Sequence, residues 1–487
     1  MDKKYQPTTI TALALSMASL VLSGCLGGSS SGSSGDTSPP FEGNLSGKLV
    51  APNGESPIPN ATVYIPDDQV GASSVQATGS AENGQCSEPD SNYVAWSCTD
   101  SEGNFSFDVD EEEGSTVTLN AFKGGWSMTQ EISLDSASVG AINFSSNPDE
   151  GAAKIAVVTG SSDRIQDVLA KIGMGDLGEV ELFSSGVSAL GSGHHGHSHG
   201  GYTALSSDCS PGDYGWPEWP DGMSDDDIDA FCEFVDPDDI DYGDFDDGDF
   251  DGGDFDGGDF GDFTFTGLEL GTETFSLYDG DGSLPDDYDN VDALFTSTDG
   301  NDAPIFDYDI VYVNCSARNP QTTDWANIAE EYVAQGGVLY VTDLSADYVV
   351  QPFSGYLQRK TTGEQTDSVP GEILDESLAD WLSGVSCANG SCIAGDNTFE
   401  LTGLAGGWEL LKPLDDSVEA LVSADVADVV YDNSLSEDVQ PMTMRFNYNR
   451  GLVIYSSYHT SDFLDGSGSD FIAQERVLEY LFYENVD

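Results

Sequence analysis

Three short runs limit what this chain can fold into: Lys154-Ile155-Ala156-Val157-Val158-Thr159-Gly160, Asp309-Ile310-Val311-Tyr312-Val313-Asn314 and Gly336-Gly337-Val338-Leu339-Tyr340-Val341-Thr342. Each is apolar without period-two alternation, so neither face of such a strand can be left to water. That is the pattern of a parallel sheet covered on both sides. Cover is supplied by residues 163–172, where Ile165, Val168, Leu169 and Ile172 fall at helical spacing, by a helix around Trp325 to Val333, and by a terminal helix at 470–483. A late hairpin, 442–448 with 451–458, precedes that last helix. The expectation for residues 152–487 is an α/β three-layer domain around a mostly parallel sheet.

The preceding segment, 41–148, reads differently. Gly47-Lys48-Leu49-Val50, Ala61-Thr62-Val63-Tyr64-Ile65, Phe105-Ser106-Phe107-Asp108-Val109, Val117-Thr118-Leu119-Asn120-Ala121 and Gln130-Glu131-Ile132-Ser133-Leu134 alternate between turn residues. Such spacing predicts an N-terminal antiparallel β-sandwich. Leu45-Ser46-Gly47-Lys48-Leu49-Val50, Pro57-Ile58-Pro59-Asn60-Ala61-Thr62-Val63 and Thr99-Asp100-Ser101-Glu102-Gly103-Asn104-Phe105 resemble the carboxypeptidase regulatory-like, transthyretin-like family. The insertion at 71–94 departs from that family's short connection. The resemblance implies a spacer or adhesive module without catalytic apparatus.

Residues 1–24 carry Lys3-Lys4, then an apolar run ending in Leu22-Ser23-Gly24 before Cys25. The run is too short to span a bilayer comfortably and has the layout of a secretory signal. Leu22-Ser23-Gly24-Cys25 resembles a bacterial lipobox, which implies cleavage before Cys25 and its modification with lipid, palmitate included. Leu26 in place of Asp implies the outer membrane by the same resemblance. The Gly/Ser-rich stretch 25–40 then reads as a flexible tether.

Composition narrows the partners. The 487 residues hold 88 Asp plus Glu against 14 Lys plus Arg, a formal net charge of -74. Nucleic acid and anionic headgroups are repelled by such a chain, whereas divalent cations and basic partners are attracted. No Lys or Arg occurs between Lys171 and Arg318. This stretch contains an insertion at 183–263 that is expected to be solvated or ion-bound.

Within that insertion, Asp244, Asp249, Asp254 and Asp259 recur every five residues, each between Gly and Phe. Four repeats are too few for an independent solenoid. Two readings stand, oxygen ligands for Ca²⁺ or a solvated acidic loop. Asp279 and Asp281, in Asp279-Gly280-Asp281-Gly282-Ser283, form a second oxygen-rich turn that could serve calcium or simply end a strand. His194, His195, His197 and His199 can chelate Zn²⁺, Cu²⁺ or Ni²⁺ without a preformed fold. With Cys25 lipidated, seven cysteines remain. Spacing pairs Cys86 with Cys98, Cys209 with Cys232 and Cys387 with Cys392 as disulfides, and leaves Cys315 over.

The segments around Asp309 to Cys315, Gly336 to Asp343 and Arg450 to His459 resemble the flavodoxin-like folds of the class I glutamine-amidotransferase-like superfamily. Cys315 and His459 then fall at carboxyl ends of sheet strands, where open α/β sheets place their sites. A thiol beside an imidazole is the arrangement of a cysteine hydrolase. In the family, however, the nucleophile sits in a Gly-x-Cys-x-Gly elbow. The corresponding turn here, Thr342-Asp343-Leu344-Ser345-Ala346, has no cysteine, and no His-Pro-Glu follows.

The expected product is an acidic outer-membrane lipoprotein acting as a ligand- or partner-binding module for an unknown protein or glycan. It is expected to be non-catalytic and Ca²⁺-stabilised, with Asp343, Ser345, Asp347 and His459 forming the binding face. The alternatives are a cysteine-dependent, amidotransferase-like enzyme using Cys315 and His459, and a surface protein that scavenges divalent metal.

Overall fold

The computed structural model describes residues 40–483, apart from 68–85, 90–91, 113–114, 135–136, 183–262, 286, 298–301, 389, 405, 432–438 and 461–469. Cys25, Cys209, Cys232, the four clustered histidines and Asp244, Asp249, Asp254 and Asp259 lie outside the described residues. No helix among the described residues is long and apolar enough to cross a membrane.

The first seven strands are β1 (Pro40–Val50), β2 (Thr62–Pro66), β3 (Tyr93–Cys98), β4 (Asn104–Glu112), β5 (Thr116–Lys123), β6 (Trp126–Ser133) and β7 (Ser138–Asn143). They form two sheets, ordered β4-β1-β7 and β3-β2-β5-β6. Leu45, Leu49, Phe105 and Phe107 of the first sheet and Val63, Leu119 and Ala121 of the second point into one core. The expectation of purely antiparallel pairing needs one correction. β1 pairs with β7 in parallel, with a register shift between Ser46 and Lys48. Strand alternation reports which face is buried and is blind to the direction of the neighbour. Cys86 and Cys98 are disulfide-bonded at the end of β3.

The remaining strands follow in order as β8 (Ile155–Val158), β9 (Leu177–Leu182), β10 (Phe263–Leu268), β11 (Ser276–Tyr278), β12 (Ile310–Val313), β13 (Val338–Thr342), β14 (Leu357–Thr362) and β15 (Thr366–Ile373). After them come β16 (Ser386–Cys387), β17 (Gly390–Ser391), β18 (Thr398–Leu404), β19 (Glu409–Pro413), β20 (Glu419–Asp425), β21 (Val439–Tyr448) and β22 (Gly451–Ser456). Nine of them make one sheet in the order β11-β8-β12-β13-β22-β21-β20-β15-β18. From β11 to β22 the pairing is parallel, and from β22 to β18 it is antiparallel. The sheet is therefore half parallel, because β15, β18, β20 and β21 extend it. These strands lack the continuous apolar runs that mark the parallel half, and β18 alternates between buried and exposed positions.

Successive residues of the parallel strands enter two separate cores, as double-faced burial requires. Ile155, Val157, Ile310, Tyr312, Val338 and Tyr340 share one with Ile165, Val168 and Leu169 and with Val477, Leu478 and Leu481 of the helix Ala473–Tyr483. Ala156, Val158, Val311, Val313, Leu339 and Val341 share the other with Ala329, Tyr332 and Val333 of the helix Trp325–Ala334.

The sandwich continues the first of these cores. Trp126 packs its ring at 6.0 Å from Phe144, 4.9 Å from Phe482 and 5.5 Å from Tyr483. Polar links flank this contact. Trp381 Nε1 donates to Pro57 O at 3.1 Å, Arg476 Nη1 to Ser56 Oγ at 2.9 Å and Asn53 N to Ile172 O at 2.8 Å. The described residues from Pro40 onward accordingly belong to one compact unit.

Candidate functional site

Parallel register sets the geometry. Val158 lies beside Val313, Val313 beside Val341, and Thr342 beside Ser456, so four chain segments leave the sheet at the same end. Gly160, just beyond β8, allows the closest approach. A Cβ there would sit 2.1 Å from Cys315 O, so only glycine fits.

Asp163 ties these ends together. Its carboxylate, fully buried, accepts from Thr342 Oγ1 at 2.8 Å, from Thr460 Oγ1 at 2.8 Å, from Thr460 N at 3.1 Å and from Arg164 N at 2.8 Å. Burial raises its pKa, while the nearby His459 and these donors oppose the rise. Asn314 Nδ2 donates to Asp163 O at 3.1 Å and to Gln166 Oε1 at 2.7 Å.

Cys315, Asp343 and His459 meet within this frame. One ligating atom from each lies within 4.8 Å of the other two, and all three residues are buried. Cys315 Sγ donates to Asp343 Oδ2 at 3.4 Å. His459 Nε2 lies 3.2 Å from the same oxygen, yet without the angle of a hydrogen bond, so Nε2 has no hydrogen-bond partner. Asp343 Oδ1 faces the other way and accepts Glu409 N at 2.6 Å, while Tyr455 OH donates to Asp343 O at 3.1 Å. Two non-glycine residues here hold left-handed backbone, Asp343 at φ 42° and Ser316 at φ 66°. Such conformations persist where surrounding contacts hold them and concentrate at functional sites.

Burial, followed by the Asp343 carboxylate, pushes the Cys315 thiol up to about 11, against the opposing pull of His459. For His459, burial alone would lower the pKa. The Cys315 sulfur and the Asp343 carboxylate outweigh it and raise the pKa well above the ordinary imidazole value. Glu409 is raised by burial to about 7, with Arg359 opposing and Asp343 and Asp347 reinforcing.

Of the expected binding face, Asp343 and His459 come together. Ser345 and Asp347 are buried and committed to internal partners. Ser345 Oγ donates to Asn314 O at 2.6 Å and accepts Ala317 N at 3.0 Å. Asp347 takes Arg359 Nη1 at 2.6 Å and Asn319 Nδ2 at 2.7 Å, while Arg359 Nε reaches Glu409 Oε1 at 2.7 Å. Asp279 and Asp281 close their own turn. Asp279 Oδ1 accepts Gly282 N at 2.8 Å, and Asp281 Oδ1 accepts Ser283 Oγ at 2.6 Å and Thr159 Oγ1 at 3.1 Å. Neither belongs to a convergent group of three metal-ligating side chains among the described residues. Cys387 and Cys392 are disulfide-bonded, and Cys315 is a free, buried thiol.

The sequence reading missed Asp163, Glu409 and Arg359. Asp163 was accessible in principle, since it lies in the loop after the first parallel strand, where sites in such sheets gather. Glu409 and Arg359 carried no local signal, because their strands, β19 and β14, pair with each other outside the main sheet.

No family model and no curated protein matches this chain. Among solved structures, a putative ThuA-like protein from Bacteroides uniformis is similar at 14% identity and a TM-score of 0.28, over 44% of this chain and 78% of that one. A putative GMP synthase component from Thermoplasma acidophilum aligns at 8% identity and a TM-score of 0.26, over 44% and 82%. A β-galactosidase from Bacillus circulans sp. alkalophilus aligns at 10% identity and a TM-score of 0.23, over 36% of this chain and 22% of the enzyme's length. The structural neighbours thus include a ThuA-like protein.

Proposed function

We propose that this chain is an outer-membrane-anchored lipoprotein whose strand-end site binds a ligand or partner without catalysing a reaction. On this reading the first part is a carboxypeptidase regulatory-like sandwich. The second is a flavodoxin-like, amidotransferase-like α/β domain, supported by five parallel strands in the order second, first, third, fourth, fifth. Cys25 supplies the anchor. The acidic insertion takes divalent cations, Ca²⁺ among them.

One observation carries the non-catalytic assignment. The turn after β13, Thr342-Asp343-Leu344-Ser345-Ala346, where a cysteine hydrolase of the resembled superfamily would hold its nucleophile, contains no cysteine. Cys315 does not take over the role. A nucleophilic relay threads thiol, imidazole and carboxylate in line through both ring nitrogens. Here the thiol and Nε2 both abut Asp343 Oδ2.

Iodoacetamide labelling of folded, chelator-treated protein at neutral pH, read by mass spectrometry, tests this. Cys315 should label no faster than global unfolding exposes it. Rapid labelling that disappears in His459→Ala would replace the binding reading with a cysteine-dependent hydrolase.

A further inference from the structure

We infer that Cys315, Asp343 and His459 form a binding site for a single Zn²⁺-class transition-metal ion. A tetrahedral zinc with Zn–S about 2.3 Å, Zn–N about 2.0–2.1 Å and Zn–O about 2.0–2.2 Å sets its ligands about 3.5–3.7 Å apart for S···O and about 3.3–3.5 Å apart for N···O. The observed separations are 3.4 Å and 3.2 Å. Two of the three edges already stand close to tetrahedral lengths, and the third, from sulfur to imidazole nitrogen, is within 4.8 Å.

A second observation points to the same occupant. His459, with 8% of its surface exposed, sets Nε2 at 3.2 Å from Asp343 Oδ2 without the geometry of a hydrogen bond, and the Cys315 sulfur belongs to the same cluster. A buried polar atom without a hydrogen bond is costly, and coordination to an ion would remove that cost. Asp343 is oriented for the same task. Glu409 N holds Oδ1 and so leaves Oδ2 toward the cluster, the kind of outer contact that orients metal-bound carboxylates.

Charge and ligand type select the ion. A thiolate, a carboxylate and a neutral imidazole sum to two negative charges, which a divalent cation cancels, so the buried group is neutral overall. Mixed sulfur, nitrogen and oxygen donors suit Zn²⁺ and disfavour the hard, oxygen-seeking Ca²⁺ and Mg²⁺. The site thus differs in its chemistry from the oxygen donors of the acidic insertion and the all-imidazole histidine tract. No fourth His, Cys, Asp or Glu converges on it among the described residues, so the fourth position falls to water or an incoming ligand. The inference rests on the proposed binding role only in placing the ligand site at the strand ends.

The test is titration of the full-length, chelator-treated protein, disulfides intact, with Co²⁺ as a spectroscopic stand-in. About one equivalent should produce thiolate-to-cobalt charge-transfer absorption in the near ultraviolet, displaced by Zn²⁺. The band should persist when His194, His195, His197 and His199 are all changed to alanine. It should vanish in Cys315→Ser, and affinity should fall at least about tenfold in Asp343→Asn and His459→Ala. Absence of the band in folded wild-type protein overturns the site without recourse to any variant. Persistence in Cys315→Ser, or loss only in the histidine-tract variant, overturns it equally. Failure here with an inert thiol leaves the binding role standing, whereas rapid iodoacetamide labelling of the metal-free protein removes that role whatever cobalt does.

Discussion

Trp126 is the sharpest probe of how the sandwich and the α/β part hold together. Its side chain is fully buried among Phe144, Phe482 and Tyr483, so truncation to alanine opens a cavity bounded by both parts. Losing about 150–200 Å² of buried surface at about 25 cal/mol per Å² forfeits about 4–5 kcal/mol, which agrees with the roughly 3–5 kcal/mol typical of such core truncations. A second effect runs the other way. Trp126 Nε1 is buried without a hydrogen-bond partner, a cost of about 1–3 kcal/mol that alanine removes. The net loss expected for Trp126→Ala is therefore about 3 kcal/mol. Trp126→Phe keeps most of the ring contact and also discards the unpartnered N–H, so it should cost under about 1.5 kcal/mol. Urea denaturation followed by far-ultraviolet circular dichroism measures both. Wild type should unfold in one transition because the core is continuous, and Trp126→Ala should shift the midpoint down or split the transition in two. A loss below about 1 kcal/mol for alanine, or equal losses for alanine and phenylalanine, would refute the reasoning.

Two further expectations concern other residues. Glu479 is fully buried, and desolvation raises its pKa above the ordinary 4.5 even though Arg476 opposes the rise. Its folded form therefore holds the proton more firmly than the unfolded chain, and stability should fall as pH climbs from 4.5 through the raised value. Glu479→Gln should flatten that part of the stability–pH curve, and an unchanged slope would show that Glu479 does not titrate differently on folding. For the anchor, Cys25→Ser should leave an unprocessed, unlipidated precursor that no longer partitions into detergent, and a variant that still partitions as a mature lipoprotein would exclude the lipobox.

What could be read in the sequence and what could not follows from the range of each interaction. Burial on both faces of a strand leaves a local imprint, so Ile155–Val158, Ile310–Val313 and Val338–Thr342 were visible as parallel core strands before any pairing was known. The close spacing of Cys86 with Cys98 and Cys387 with Cys392 likewise sufficed, since each loop is short. Cys315 and His459 were placed at strand ends from their own neighbours, but their shared contact with Asp343 Oδ2 was not foreseen. Strand order decides that contact. β12, β13 and β22 lie side by side although the last begins more than a hundred residues after the second, and no local pattern records such a pairing. The burial of Ser345 and Asp347 depends on Asn314, Ala317, Asn319 and Arg359, which pack from separate elements. The parallel pairing of β1 with β7 and the antiparallel strands beyond the β21–β22 hairpin escaped for a related reason. Period-two alternation specifies which side of a strand faces the core, and only the tertiary fold specifies which strand lies beside it and in which direction.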